Sequence, residues 1–363
     1  MVGCDPGLGP GTDYPEIRNW HDLHAIRYNL DGHYVLMNDL NSTSAGYTEL
    51  AGHAANQGKG WQPIGTSDYR FTGSFDGRGY EIRDVFINRP DESMVGLFGA
   101  VDEEGVVQNI GVVNAMVTGE WAVGGLVGGN WGYVTNSYSD GNVSGDDYVG
   151  GLVGGNAGDV SYSYSTVTVI GRWDVGGLVG ASDSQGTVSS SYSDGSVTGE
   201  WAVGGLMGGN LGGTVSSCYS ISSATGDDYV GGLVGDNQGI VHNSYATGSV
   251  TGEWHVGGLV GYSQGNISNS YSIGSVTGSI WVGGLVGTNR DGTVSNSFWD
   301  IATSGMEESD GGMSKTTAEM RDITTFSGAG WDVTAVTPGA ADPAYTWNIV
   351  AQETYPFLSW QSV

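Results

Sequence analysis

Lysine is almost missing from this chain. Only Lys59 and Lys315 occur, and the eleven basic residues together face 39 aspartates and glutamates, for a formal net charge of −28. Such a polyanion repels phosphate backbones and anionic headgroups, so nucleic acid and acidic membranes are excluded as favourable partners. Cysteine is nearly absent too. Two cysteines in 363 residues cannot supply the disulfide framework of a small secreted scaffold. Proline is sparse, at eight residues, and glycine, although 66 in number, lacks a three-residue period, which excludes a collagen triple helix. No run of 18 apolar residues is present, so no transmembrane segment is expected, and no signal peptide is recognisable.

Familiar catalytic patterns are missing as well. There is no Gly-x-Ser-x-Gly, no His-Glu-x-x-His and no clustered His/Cys set. Four of the six histidines lie in the first 60 residues, and His242 and His255 stand singly. No cofactor is expected, and the chain is read as non-enzymatic.

What is present is a repeat. Gly-Gly-Leu-Val-Gly, or a near copy, recurs every 26 to 29 residues, with its leucines at 97, 126, 152, 178, 206, 233, 259 and 285. A fixed period of this length means a solenoid in which each unit covers its neighbour's apolar face. One unit reads as Tyr148-Val-Gly-Gly-Leu-Val-Gly, a Gly/Asn turn, Val160-Ser-Tyr-Ser-Tyr-Ser, and Val167-Thr-Val. Three short strands per unit suit a coil of an all-β, parallel β-helix, expected to be right-handed because parallel crossovers are. Coils would stack at ~4.8 Å.

Four regions follow. Residues 1–13 are a Gly/Pro-rich leader, expected to be flexible. Residues 14–93 form an N-terminal cap and irregular first coils, with Asn19 as N-cap of a short helix bearing Trp20, Leu23 and Ile26 on one face. Residues 94–300 are the eight-unit solenoid. Residues 301–363 form a C-terminal cap, which holds the capping-box pair Thr316 and Glu319. Short helices are thus expected at both ends, where they blunt open strand edges.

The Val-Gly-Gly-Leu-Val-Gly units followed by Asn-Ser-Tyr-Ser resemble the GLUG-motif repeats of secreted and cell-surface, adhesin-like proteins. The preceding segment (Trp61-Gln-Pro-Ile-Gly, Phe71-Thr-Gly-Ser-Phe-Asp-Gly, Gly96-Leu-Phe-Gly) and the exit (Asn296-Ser-Phe-Trp-Asp, Lys315-Thr-Thr-Ala-Glu-Met) are similar to the flanks of those repeats. The resemblance implies a β-helical rod displayed outside the cell or on its surface. It carries no catalytic residues.

Aligned units make columns. Three positions before the Val-Gly-Gly valine stand Glu120, Asp146, Arg172, Glu200, Asp227, Glu253 and Ser279. The plain reading is a solvated acidic edge, with Arg172 able to pair with Asp146 or Glu200. Asp146/Asp147 and Asp227/Asp228 are the best candidates for weak Ca²⁺ binding, although calcium wants six or more oxygens and no Asp-x-Asp-x-Asp-Gly loop is present. Beside the acids an aromatic column is expected from Trp121, Tyr148, Trp173, Trp201, Tyr229, Trp254 and Trp281. These rings either seal a strand corner or stack on sugars. The candidate ligand ladder is Trp121, Trp173, Trp201 and Trp254 with Glu120, Glu200 and Glu253. A tyrosine column (Tyr138, Tyr164, Tyr192, Tyr219, Tyr245, Tyr271, then Phe298) reads as wall stacking.

Cys218 falls where the other units have serine and reads as a small residue in a serine slot. Cys4 resembles the end of a lipoprotein signal, without the apolar segment that should precede it, and a Cys4–Cys218 bridge is not expected. Asn41, Asn142 and Asn266 lie in Asn-x-Ser/Thr glycosylation sequons. The functional expectation is a non-enzymatic extracellular surface protein, adhesin-like or an envelope or sheath component. Its partners would be other surface proteins, glycans, or copies of itself in a filament. The alternative is a polysaccharide-binding or polysaccharide-cleaving β-helix, whose catalytic carboxylate pair should occur once.

Overall fold

A computed structural model describes residues 14–361. The predicted leader and Cys4 lie outside the described residues. The chain winds as a parallel β-solenoid. Four parallel sheets run along it, with 11, 8, 16 and 7 strands, and one small three-stranded sheet stands apart.

One coil shows how the sequence makes each wall. Trp121–Gly124 is a first strand, Val127–Asn130 a second, Tyr133–Thr135 a third and Tyr138–Ser144 a fourth. The next coil repeats them in register, with Val123 opposite Val149, Val127 opposite Val153 and Val134 opposite Val160. The Gly-Gly-Leu-Val-Gly run is thus two strands and not one, cornered at Gly-Leu. The leucines of that corner and the inward valines of the strands are buried, with Val282 and Val294 of the last coil partly so.

Glycine is obligatory at the corner. A Cβ on Gly204 would fall on the carbonyl of Met207, and it would stand 2.8 Å from the Gly235 nitrogen of the next coil. No side chain fits where backbone meets backbone this closely.

Buried asparagines and serines bond from coil to coil, although Asn130 Oδ1 and Asn210 Oδ1 accept no hydrogen bond. Asn130 Nδ2 donates to Asn156 Oδ1 at 2.8 Å, and Asn156 Nδ2 to Ser182 Oγ at 3.2 Å. Asn210 donates to Asn237 and Asn237 to Ser263 at the same two distances. A second ladder uses the serine slot. Ser163 N donates to Ser191 Oγ at 3.1 Å, while Ser163 Oγ donates to the Ser161 carbonyl at 2.8 Å. Cys218 takes this slot, with its nitrogen donating to Ser244 Oγ and its thiol 3.2 Å from the Ser216 carbonyl. Burial pushes that thiol up to about 12, as befits a structural residue.

Both ends are covered. The helix Trp20–Ala25 is N-capped by Asn19 and buries Trp20 and Leu23 against the first coils. At the far end Ile301–Ser304 is helical, and Ser309 and Asp310 bond to Val286 of the last coil. The segment beyond does more than cap. It lies along the side of the last coils, over the tyrosine column. Those tyrosines stack face to face at 4.8 to 5.1 Å from Tyr138 to Tyr271. Tyr271 Oη donates to the Pro356 carbonyl, Gln361 donates to Tyr245 Oη, and Trp360 packs against Tyr219. Thr316 and Glu319 form the expected capping box.

The asparagine ladder should matter more than its surface counterparts. Asn237→Ala removes one rung and leaves Asn210 without its acceptor, at a cost of about 1–3 kcal/mol. Asn142→Ala, on an exposed side chain, should stay within about 0.5 kcal/mol of the parent. Urea unfolding of the two variants measures the difference.

Candidate functional site: the tryptophan–carboxylate face

The acidic column forms as expected. Asp146 N bonds to the Glu120 carbonyl, Arg172 N to Asp146, Glu200 N to Arg172, Asp227 N to Glu200 and Glu253 N to Asp227. Arg172 does pair, and with both neighbours: its Nε lies 3.1 Å from Glu200 and a terminal nitrogen 3.9 Å from Asp146.

The aromatic column needs correction. Strand register places Trp121, Asp147, Trp173, Trp201, Asp228, Trp254 and Ile280 in one column. Tyr148, Tyr229 and Trp281 belong to a second column, one residue on, together with Ala122, Asp174, Ala202 and His255. All seven residues of that second column have φ between 47° and 55°. This left-handed backbone costs a non-glycine residue about 1–2 kcal/mol. It swings these side chains off the tryptophan strand and over the glycine strand beside it: Asp174 Oδ1 sits where a Cβ on Gly209 would go. Sequence alignment alone could not separate the columns, because Asp-Tyr-Val and Trp-Ala-Val look like one aromatic slot displaced by a residue.

The first column is an open face. Trp173 and Trp254 are 42% and 47% exposed, and Trp121 and Trp201 are partly so. Corner packing therefore does not bury them. Trp173 and Trp201 lie 5.9 Å apart, tilted by 31°. With Glu200, Asp227, Asp228, Glu253 and Trp254 they line a shallow depression. Glu120 is exposed beside Trp121 at the other end.

The second column runs beside a floor of Gly129, Gly155, Ala181, Gly209, Asp236 and Tyr262, all in register. Burial, with Asp147 and Asp236 nearby, pushes the Asp174 carboxyl up to about 7. Burial also raises Asp236, whose Oδ1 has no hydrogen-bond partner. His255 Nδ1 lies 2.6 Å from Asp228 Oδ1, and its ring stacks on Trp281 at 4.4 Å. Asp174 and Asp236 were missed in the sequence because each stands alone in its column.

The structure brings no third ligand to either acid pair. Asp146 faces Arg172, Asp228 accepts from Tyr229 N and His255, and burial raises the Asp147 carboxyl. Among the described residues no three His, Cys, Asp or Glu side chains converge on one point. Of the sequons, Asn142 and Asn266 are exposed, while Asn41 is half-buried and accepts from Thr43 N and Oγ1. No helix among the described residues is long and apolar enough to cross a membrane.

The raised Asp174 has a signed consequence. Its folded state holds the proton more tightly than the unfolded chain, so its share of stability is full below the ordinary value of 3.8 and is lost as pH rises through about 7. Asp174→Asn should remove that part of the slope. Melting temperatures of parent and variant across this window should diverge progressively, with the variant higher at the alkaline end.

Comparison with known proteins recovers the repeat. The model described as the GLUG motif matches residues 119–144, 145–170, 226–251 and 252–277. A protein of Evansella cellulosilytica, provisionally named a Gly-rich membrane protein, is 37% identical over 107 residues, or 29% of this chain and 12% of that one. Halomucin of Haloquadratum walsbyi is 34% identical over 143 residues, covering 38% of this chain and 2% of halomucin. The matched stretches are thus small parts of both relatives. A solved structure from Bacteroides ovatus, provisionally named an immunoglobulin A1 protease, aligns over 98% of this chain and 95% of its own, at 19% identity and a TM-score of 0.48. The chain carries GLUG-motif repeats, and each matched segment is one coil of the solenoid.

Proposed function

We propose that this chain is a non-enzymatic, adhesin-like repeat module of an extracellular surface protein, whose tryptophan–carboxylate face holds extended glycan chains. The names of its two relatives, a membrane protein and halomucin, support surface display. The observation that carries the binding reading is the open depression lined by Trp173, Trp201 and Trp254 beside Glu200, Asp227 and Glu253. Rings left in water offer flat apolar area at low entropy cost, and carboxylates accept hydroxyl hydrogen bonds. The ~4.8 Å rise per coil is close to the length of one sugar unit, so successive coils meet successive sugars.

Titration of the chain with neutral and charged oligosaccharides, followed by tryptophan fluorescence, should show saturable change. Trp173→Ala and Trp254→Ala should each weaken affinity by about 0.5–1.5 kcal/mol. A flat titration across the glycan set sinks this function. Self-association into a filament or sheath through the same face would appear instead as concentration-dependent sedimentation that the two variants abolish.

A second reading, polysaccharide cleavage, draws on one observation. Asp174 and Asp236 lie near each other at the glycine floor beside the tryptophan face, a juxtaposition found once among the described residues, and both carboxyls are raised. Paired acids of differing environment are the chemistry of glycoside cleavage. Turnover of a polysaccharide that is lost in Asp174→Asn would favour this reading over simple binding.

A further inference from the structure

The acid and tryptophan columns together form a lattice that already holds a cation. Arg172 stands between Asp146 and Glu200, and its guanidinium carbon lies 5.6 Å from the centre of the Trp173 ring. Above it the column continues as Glu200, Asp227 and Glu253, flanked by Trp201 and Trp254, and among the described residues no further Lys or Arg pairs with it. Among the described residues neither Asp227 nor Glu253 enters an ion pair.

A second observation points to a ligand in this depression. Asp228 sits in the tryptophan column between Trp201 and Trp254, and is only 8% exposed. Its Oδ1 accepts from Tyr229 N and pairs with His255 Nδ1, and no hydrogen bond from the described residues reaches its Oδ2. This largely buried carboxylate, paired with His255 through one oxygen, lines the open aromatic depression and can receive a donor at the other.

We infer that this depression takes the protonated amines of an amino-sugar chain. The inference rests on the glycan reading above and specifies the glycan. Ammonium groups satisfy both halves of the lattice, through charge-assisted hydrogen bonds to the carboxylates and attraction to the tryptophan faces. A neutral sugar leaves Asp227 and Glu253 repelling each other. The chain's charge of −28 also draws cations toward it. Spacing selects sugar over peptide. The coils rise by ~4.8 Å, whereas same-side residues of an extended peptide recur at about 6.6 Å.

Calorimetric titration of the whole chain at mildly acidic pH tests this with three probes: a glucosamine hexamer with free amines, the same hexamer fully N-acetylated, and hexalysine. The free-amine hexamer should bind about tenfold more tightly than the acetylated one, the worth of one charge-assisted bond. Asp227→Asn combined with Glu253→Gln should abolish that preference, so that the variant binds the two hexamers equally. Equal affinity for the two hexamers overturns the cation inference and leaves the glycan reading standing. Binding of neither overturns both. Hexalysine binding as tightly as the free-amine hexamer overturns the sugar assignment. Free-amine binding unchanged in the double variant shows general attraction to a polyanion and overturns the site.

Discussion

The structure depends on a contact between backbones that leaves no room for a Cβ. At Gly204 the chain turns so tightly that its own Met207 carbonyl fills the side-chain position, with the next coil's Gly235 directly above. Every regular coil repeats the arrangement, from Gly124 to Gly283. Because the close approach recurs at one point in each coil, register cannot slip there. The valine, leucine, asparagine, serine and tyrosine columns all inherit that register.

Stacking like on like has different consequences for different side chains. Asparagine, serine and tyrosine gain from it. Amides and hydroxyls act as donor and acceptor at once, and aromatic rings at 4.8 to 5.1 Å are in contact. Carboxylates lose, since neighbours at ~4.8 Å repel. They are tolerated where water screens them, on the outer edge at Glu120, Asp146, Glu200, Asp227 and Glu253. Arg172 interrupts that edge and relieves two of them. Individual chemistry therefore belongs to the departures from the repeat. Arg172, Asp174, Asp236 and His255 each break a column, and with Asp228 they lie on or beside two adjoining sheets.

Much was legible from the sequence alone. The leucine period predicted a parallel solenoid, and the inward valines followed from alternation. The serine slot explained Cys218, Asn19 and Thr316 announced their helices, and Arg172 was expected to pair with its acidic neighbours. Two matters were misjudged for physical reasons. The Gly-Gly-Leu run was taken as one strand because nothing in composition marks a corner between two glycine-containing strands. The aromatic slot was merged because a left-handed residue can be Ala, Tyr, Asp, His or Trp here, with no glycine or asparagine to betray it.

What the sequence by itself determined is everything that repeats: the coil length, the inward apolar positions, the acidic edge and the stacked tyrosines. Periodicity encodes these, since each position meets its own copy one coil away. What only the tertiary structure decided is what lies across the coil and not along it. The left-handed residue turns Asp174 from the tryptophan face onto the glycine floor where Asp236 lies, and leaves Asp228 between Trp201 and Trp254. A chain reversal likewise brings Trp360 and Gln361 back onto Tyr219 and Tyr245, more than 100 residues earlier. Those contacts depend on backbone dihedrals and on a chain reversal, and neither leaves a period in the sequence.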